Sequence, residues 1–245
     1  MHSQRNSRTR KLAHGYHYAS QLMTMWFRFG RELNRFRGIF DRSRVSLTET
    51  VRPNAATAAL IHSARTELTS FLGLQSNDSP SNDQYQSIHV RRGDGTGSSW
   101  EYHDKNVAIE EYTAAGNAAW ARLFRSAGSP APQAVYLASD DPDVFEVVQS
   151  QLEPGSRIFS LSRSENSELQ HIASPAPYFQ GEFAALPEAD RVRFTRGMVV
   201  DFALLSGLWA WPDDLKPGAV ICGIGYAHLL ASVTAFEPLF QFQCL

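Results

Sequence analysis

The chain has 245 residues, 43% of them hydrophobic, and its 23 Lys and Arg nearly balance 25 Asp and Glu, for a formal net charge of −2. That is enough for one large domain or two small ones around a buried core, and it points to no nucleic-acid partner. The two cysteines, Cys222 and Cys244, permit one disulfide but no disulfide framework, and metal-ligand spacing is absent.

Residues 1–50 carry ten Lys or Arg against three acidic residues, Glu32, Asp41 and Glu49, a basic head whose simplest reading is a solvated helical face. No run approaches the length of a membrane span. Residues 1–14 are polar and basic with no apolar stretch behind them, unlike a signal peptide. The expectation is an intracellular protein or a fragment lacking its targeting segment. Residues 11–37 read as a helix, with Leu22, Met23, Trp26, Phe27 and Phe29 clustered among arginines. A second helix is expected over residues 54–72, after Arg52-Pro53. A polar stretch, residues 75–83, serves as a linker. It contains the sequon Asn77-Asp78-Ser79, a triplet common by chance.

From here the pattern alternates. Residues 86–90 read as a strand, followed by a Gly/Ser loop over 93–99 and a helix over about 107–126. Residues 134–138 form a second, more apolar strand. Ser139-Asp140-Asp141-Pro142 then looks like a helix cap with Pro in the first turn, opening a helix to about 152. Residues 157–160 give a short third strand, and residues 162–187 read as a polar surface excursion without a clear period. An apolar helix follows over 191–211, then a fourth strand over 219–223 and a short helix over 226–234. Alternating strands and helices predict an α/β fold: a Rossmann-like parallel sheet with helices on both faces, preceded by a helical N-terminal segment. The expected division is a basic helical segment over 1–74, a linker over 75–84 and the Rossmann-like domain over 85–245. Sites in such sheets lie beyond the carboxyl ends of strands, here after Val90, Ala138 and Gly223.

Three groups of residues are candidates, two at these strand ends and one in the apolar helix. In His89-Val90-Arg91-Arg92-Gly93-Asp94, two adjacent guanidiniums suit a diphosphate, since their planar forks give paired hydrogen bonds. An exposed turn with an Arg–Asp pair accounts for the same residues equally well. Asp140 and Asp141 can accept hydrogen bonds from a base or ribose, but helix capping explains them as simply. With Asp143 they could instead hold a divalent cation, but that needs convergent oxygens and a helix start points these carboxylates apart. Asp201 is the only charge between Arg196 and Trp211. A buried carboxylate needs a partner, and Arg91 or Arg92 is the natural one; a narrow polar helix stripe is the alternative.

Taken in order, His89-Val90-Arg91-Arg92-Gly93-Asp94, Ile109-Glu110-Glu111-Tyr112, Val135-Tyr136-Leu137-Ala138-Ser139-Asp140-Asp141-Pro142 and the stretch from Arg196 to Ser206 resemble the α-1,6-fucosyltransferase family, and more loosely the protein O-fucosyltransferases. The resemblance covers about residues 52–225. It implies the donor-binding half of a GT-B-like fold and inverting transfer of fucose from GDP-fucose to a glycan or glycoprotein hydroxyl. No metal and no other cofactor would be required, and the setting would be the Golgi or secretory pathway. It implies catalytic roles for Arg92, Asp94 and Glu101, with Arg92 on the β-phosphate. It places His89, Arg91, Asp140, Asp141 and Asp201 around the donor. The chain departs from the family where Gly95 replaces a lysine and where Gly97, Ser98 and Ser99 occupy the stretch of a glutamate, leaving Glu101 and Asp104 as the nearest carboxylates. After the fourth strand, residues 223–228 replace a Ser-rich segment. Two further expectations therefore stand beside the first: an inactive or truncated relative that only binds nucleotide sugar or glycan, and a metal-dependent nucleotide-binding enzyme using Asp140 to Asp143.

Overall fold

The structure is a computed structural model that describes residues 50–73, 85–93, 107–124, 132–177, 179–211, 214–223 and 241–244. The chain divides into the units Met1–Ser43 and Arg44–Leu245, and the described residues all lie in the second. The helices expected over 11–37 and 226–234, and the linker over 75–83, lie outside them.

The elements in order are α1 (Ala55–Leu72), β1 (Tyr85–Val90), α2 (Ile109–Phe124), β2 (Ala134–Ser139), α3 (Val144–Gln151), β3 (Arg157–Phe159), α4 (Ser167–Ile172), α5 (Gln180–Phe183), α6 (Glu188–Ser206), β4 (Pro217–Cys222) and β5 (Gln241–Cys244). A 3-10 turn, Leu161–Arg163, joins β3 to α4. The five strands form one sheet in the order β3-β2-β1-β4-β5, and every pairing is parallel. The chain moves outward from β1 to β3 and then returns to the other side of β1 as β4. This is the reversal of doubly wound sheets, whose ligands lie beyond the carboxyl ends of the strands.

All six residues of β1 and of β4 are buried, as expected for central parallel strands covered on both faces. Their alternation sorts the core into two layers. Tyr85, Tyr136, Phe159 and Val220 face α1, α4 and α6, where Ile61, Leu68, Leu169, Val200 and Leu204 meet them. Ile88, Val90, Val135, Leu137 and Ile221 face the other way, onto Tyr112 and Ala115 of α2 and Phe145 and Val148 of α3. Helix α1, which the sequence assigns to the N-terminal segment, therefore packs into the core of the sheet. Asn54 caps it by accepting the N–H of Thr57 at 2.9 Å.

Two findings differ from expectation. Residues 162–187 are not a featureless excursion, because Leu169 and Ile172 of the short helix α4 are buried in the core. Six helical residues among Ser, Glu and Asn are too few to display a period. Strand β5 was hidden for the same reason: its four residues pair with β4 but are too short to show alternation. Among the described residues no helix is long and apolar enough to cross a membrane.

Candidate functional site

A cavity of about 310 Å³ opens on the α6 side of the carboxyl ends of β1 and β2. Its polar lining includes His89 and Arg91 at the end of β1, Ser139 and Asp140 at the end of β2, Glu182 of α5, and Thr195 and Asp201 of α6. Residues 172–186 supply most of its apolar wall, and Phe194, Met198 and Phe202 of α6 complete it. Gly197 lets this wall form. A Cβ at that position would lie 2.1 Å from the carbonyl oxygen of Ile172, so only glycine allows α6 to approach the end of α4 so closely.

Asp140 holds the loop after β1. Its two carboxylate oxygens accept the backbone N–H groups of Arg92 at 2.7 Å and Gly93 at 2.9 Å. Capping of α3, the plain alternative for Asp140, is not what it does. Asp141 takes the turn instead, accepting the N–H of Asp143 at 3.0 Å. The Asp140 carboxyl sits above the usual carboxylate range because burial outweighs the two N–H groups and the nearby Arg91. Asp141 lines a smaller neighbouring crevice with Ser139 and Asp201. Asp140, Asp141 and Asp143 do not converge: among the described residues no group of three His, Cys, Asp or Glu could hold a metal ion.

The two arginines point to different tasks. Arg91 lines the cavity, whereas Arg92 donates to the carbonyl of Val107 at 3.2 Å and ties the strand end to the start of α2. His89 is buried, and burial together with the charge of Arg91 lowers its pKa to about 4. It is therefore a neutral imidazole near neutral pH.

Asp201 does not pair with an arginine. Its partner is Tyr136, whose hydroxyl donates to one carboxylate oxygen. Tyr136 projects from β2 on the face that α6 covers, while Arg91 lies out at the strand end, so the tyrosine is the nearer donor. Asp201 borders both the cavity and the neighbouring crevice, and burial raises its pKa to about 7 against the opposing pull of the Tyr136 hydrogen bond.

The structure thus gathers His89, Arg91, Asp140 and Asp201 at one cavity, with Arg92 and Asp141 beside it. Asp94 and Glu101 lie outside the described residues. Sequence reasoning missed Tyr136 and the aromatic wall around Phe179 and Phe183. The one signal for the wall is the short Ser174-Pro175-Ala176-Pro177 run between two helices. Compared with known proteins, the chain matches no protein-family model and no curated protein sequence.

Proposed function

We propose that this domain binds a guanosine diphosphate sugar, GDP-fucose by its motif resemblance, and transfers the sugar with inversion to a glycan or protein hydroxyl, as the donor half of a GT-B-like enzyme. The observation that carries the reading is the convergence of His89, Arg91, Asp140 and Asp201 on one cavity at the carboxyl edge of a parallel sheet. The volume lies in the range of small-ligand sites, about 300–1,000 Å³, and its aromatic wall suits a flat heterocycle.

The chemistry assigns the base. One oxygen of Asp201 is engaged by Tyr136, which leaves the other for a ligand donor. Guanine presents its ring N–H and exocyclic amine side by side, a pair that a carboxylate accepts. Adenine sets an acceptor nitrogen beside its amine and would repel one. Neutral His89 adds a hydrogen-bonding group without charge.

The diphosphate then lies at the rim, against Arg91. As the glycosidic bond breaks, negative charge grows on the departing diphosphate. A guanidinium carried at the start of the Asp140-braced loop stabilises that charge; Arg92 could join it only by leaving the carbonyl of Val107. The acceptor hydroxyl passes its proton to a carboxylate base, for which Glu101 and Asp104 are the nearest carboxylates to the stretch where the family carries a glutamate.

Titration calorimetry with GDP, GDP-fucose and ADP, with and without EDTA, tests the reading. Micromolar GDP binding that survives EDTA, exceeds ADP binding and is lost in Arg91→Ala is expected. A well-folded wild type that binds none of the three overturns it.

A further inference from the structure

A second cleft, of about 550 Å³, lies between the start of α1 and the N-terminal half of α6. It shares Phe183 and Thr195 with the cavity above but none of that cavity's charged groups. Three arginines line it, Arg52, Arg191 and Arg196, against one carboxylate, Glu188. None of the three guanidiniums has an ion pair or hydrogen bond among the described residues, whereas Arg65, Arg163 and Arg193 each pair with a carboxylate. The first turn of α1 borders the same cleft; the neutral Asn54 caps it, and it contains no acidic residue to offset the positive end of that 18-residue helix. Uncompensated positive charge gathered round a concavity is what an anionic ligand neutralises.

The walls are not merely charged. Val51 and Val192 are 48% and 43% exposed there, and Trp209 forms an aromatic side. Trp209 has φ of 60°, the only described non-glycine residue with positive φ, a strained conformation for a bulky side chain. Two bonds hold it: its indole N–H donates to the carbonyl of Val51 at 2.9 Å, and its own carbonyl accepts from Arg65 at 2.9 Å. An aromatic plate fixed beside free guanidiniums matches a sugar ring that carries acidic groups. The C–H face of the ring packs on the aromatic and apolar surface, and its sulfates or carboxylates meet the forks.

We propose that this cleft is a second ligand site, for an anionic saccharide bearing sulfate or carboxylate groups. The choice of a saccharide rests on the nucleotide-sugar reading; the choice of an anion rests on the arginines alone. The test is calorimetric titration of the full chain with a fully sulfated heparin disaccharide, lactose and inorganic sulfate, beside Arg191→Ala/Arg196→Ala and, on the opposite wall, Arg52→Ala. GDP is titrated into every variant. The sulfated disaccharide should bind at least about tenfold more tightly than lactose or sulfate, weaken steeply with salt, and lose about tenfold or more in both variants while their thermal stability is unchanged. Lactose or sulfate binding as tightly as the disaccharide, or full affinity in both variants, overturns the proposal. GDP binding without disaccharide binding overturns this inference and leaves the donor reading standing; disaccharide binding without GDP binding does the reverse.

Discussion

Tyr136 of β2 donates its hydroxyl to Asp201 of α6 across the layer between sheet and helix, which makes a buried acid part of the core. Because the folded-state pKa of Asp201 is about 7, above its ordinary 3.8, the native state holds this proton more tightly than the unfolded chain does. The stability it contributes is fully present below pH about 4 and is lost as pH rises through about 7. Asp140 is shifted the same way and adds to the trend. His89 runs the other way: its folded-state value of about 4 lies below its ordinary 6.5, so the unfolded chain binds the extra proton and stability rises with pH between about 4 and 6.5, offsetting Asp201 there. The Asp201 effect is therefore read by denaturant unfolding as a difference: the stability of wild type relative to Asp201→Asn, which keeps an acceptor for Tyr136, should fall as pH rises from about 4 to about 7. A difference that does not change with pH over this range would show that Asp201 ionises normally.

Ligand binding should run the other way. Guanine offers donors, so it selects the ionised Asp201, and binding must first remove the proton. GDP affinity should fall by about tenfold per pH unit below 7 and level off above it. Asp201→Asn should weaken GDP binding by about tenfold or more at pH 8 and remove the pH dependence. Calorimetry at pH 6, 7 and 8 checks both; equal pH slopes in the two proteins would place the base elsewhere.

The sheet was readable because apolar strand patterns, clearest in β2 and β4, alternate with helices; the strand ends pointed to His89, Arg91 and Asp140, and a lone charge in an apolar helix pointed to Asp201. What could not be read was partnership. Asp140 looks like a cap in sequence, but its acceptors for the N–H groups of Arg92 and Gly93 depend on the pairing of β1 with β2, which aligns Val90 with Ser139. The Tyr136–Asp201 bond spans 65 positions and has no local signature. The apolar wall over residues 172–186 escaped because its helices are too short to show a period.

Asp140→Ala should unfasten the loop that carries both arginines. It leaves two backbone N–H groups without their acceptors, at about 1–3 kcal/mol for such a loss, and the loop then has no fixed geometry for a diphosphate. A loss of stability in this range together with weaker GDP binding is expected. Affinity for free guanosine should change much less if the base is held as proposed, by Asp201 of α6 and not by the loop. A variant that loses guanosine and GDP binding equally would mean that Asp140 acts on the base, not through the loop.

Gly197→Ala puts a methyl group where the carbonyl of Ile172 now lies, 2.1 Å from the new Cβ. Neither partner is a flexible side chain, so α4 and α6 must separate. Overpacking of this kind costs about 1–3 kcal/mol. The cavity wall moves with α4, so GDP binding should weaken beyond what lost stability explains. Thermal unfolding and calorimetry on one preparation separate the two effects. Unchanged unfolding would mean that the helices stand farther apart in solution.

Arg65→Met should be the most damaging of these substitutions to the fold and the least specific to the site. Arg65 is a buried cation in α1, and its guanidinium donates to the carbonyls of Ala203 at 3.2 Å, Leu208 at 2.6 Å and Trp209 at 2.9 Å, with Asp214 at 3.4 Å. It thus serves the carbonyls at the end of α6, where Gly207 turns the chain with φ of 69°. Methionine fills much of the space but takes the guanidinium donor from these carbonyls and leaves Asp214 only the N–H of Trp211. Removing one partner of a buried charged network costs about 3–5 kcal/mol. A large fall in unfolding midpoint is expected, with GDP affinity near wild type at temperatures where the variant stays folded, since none of the cavity residues touches Arg65. A midpoint within a few degrees of wild type would show that water replaces the arginine at the end of α6.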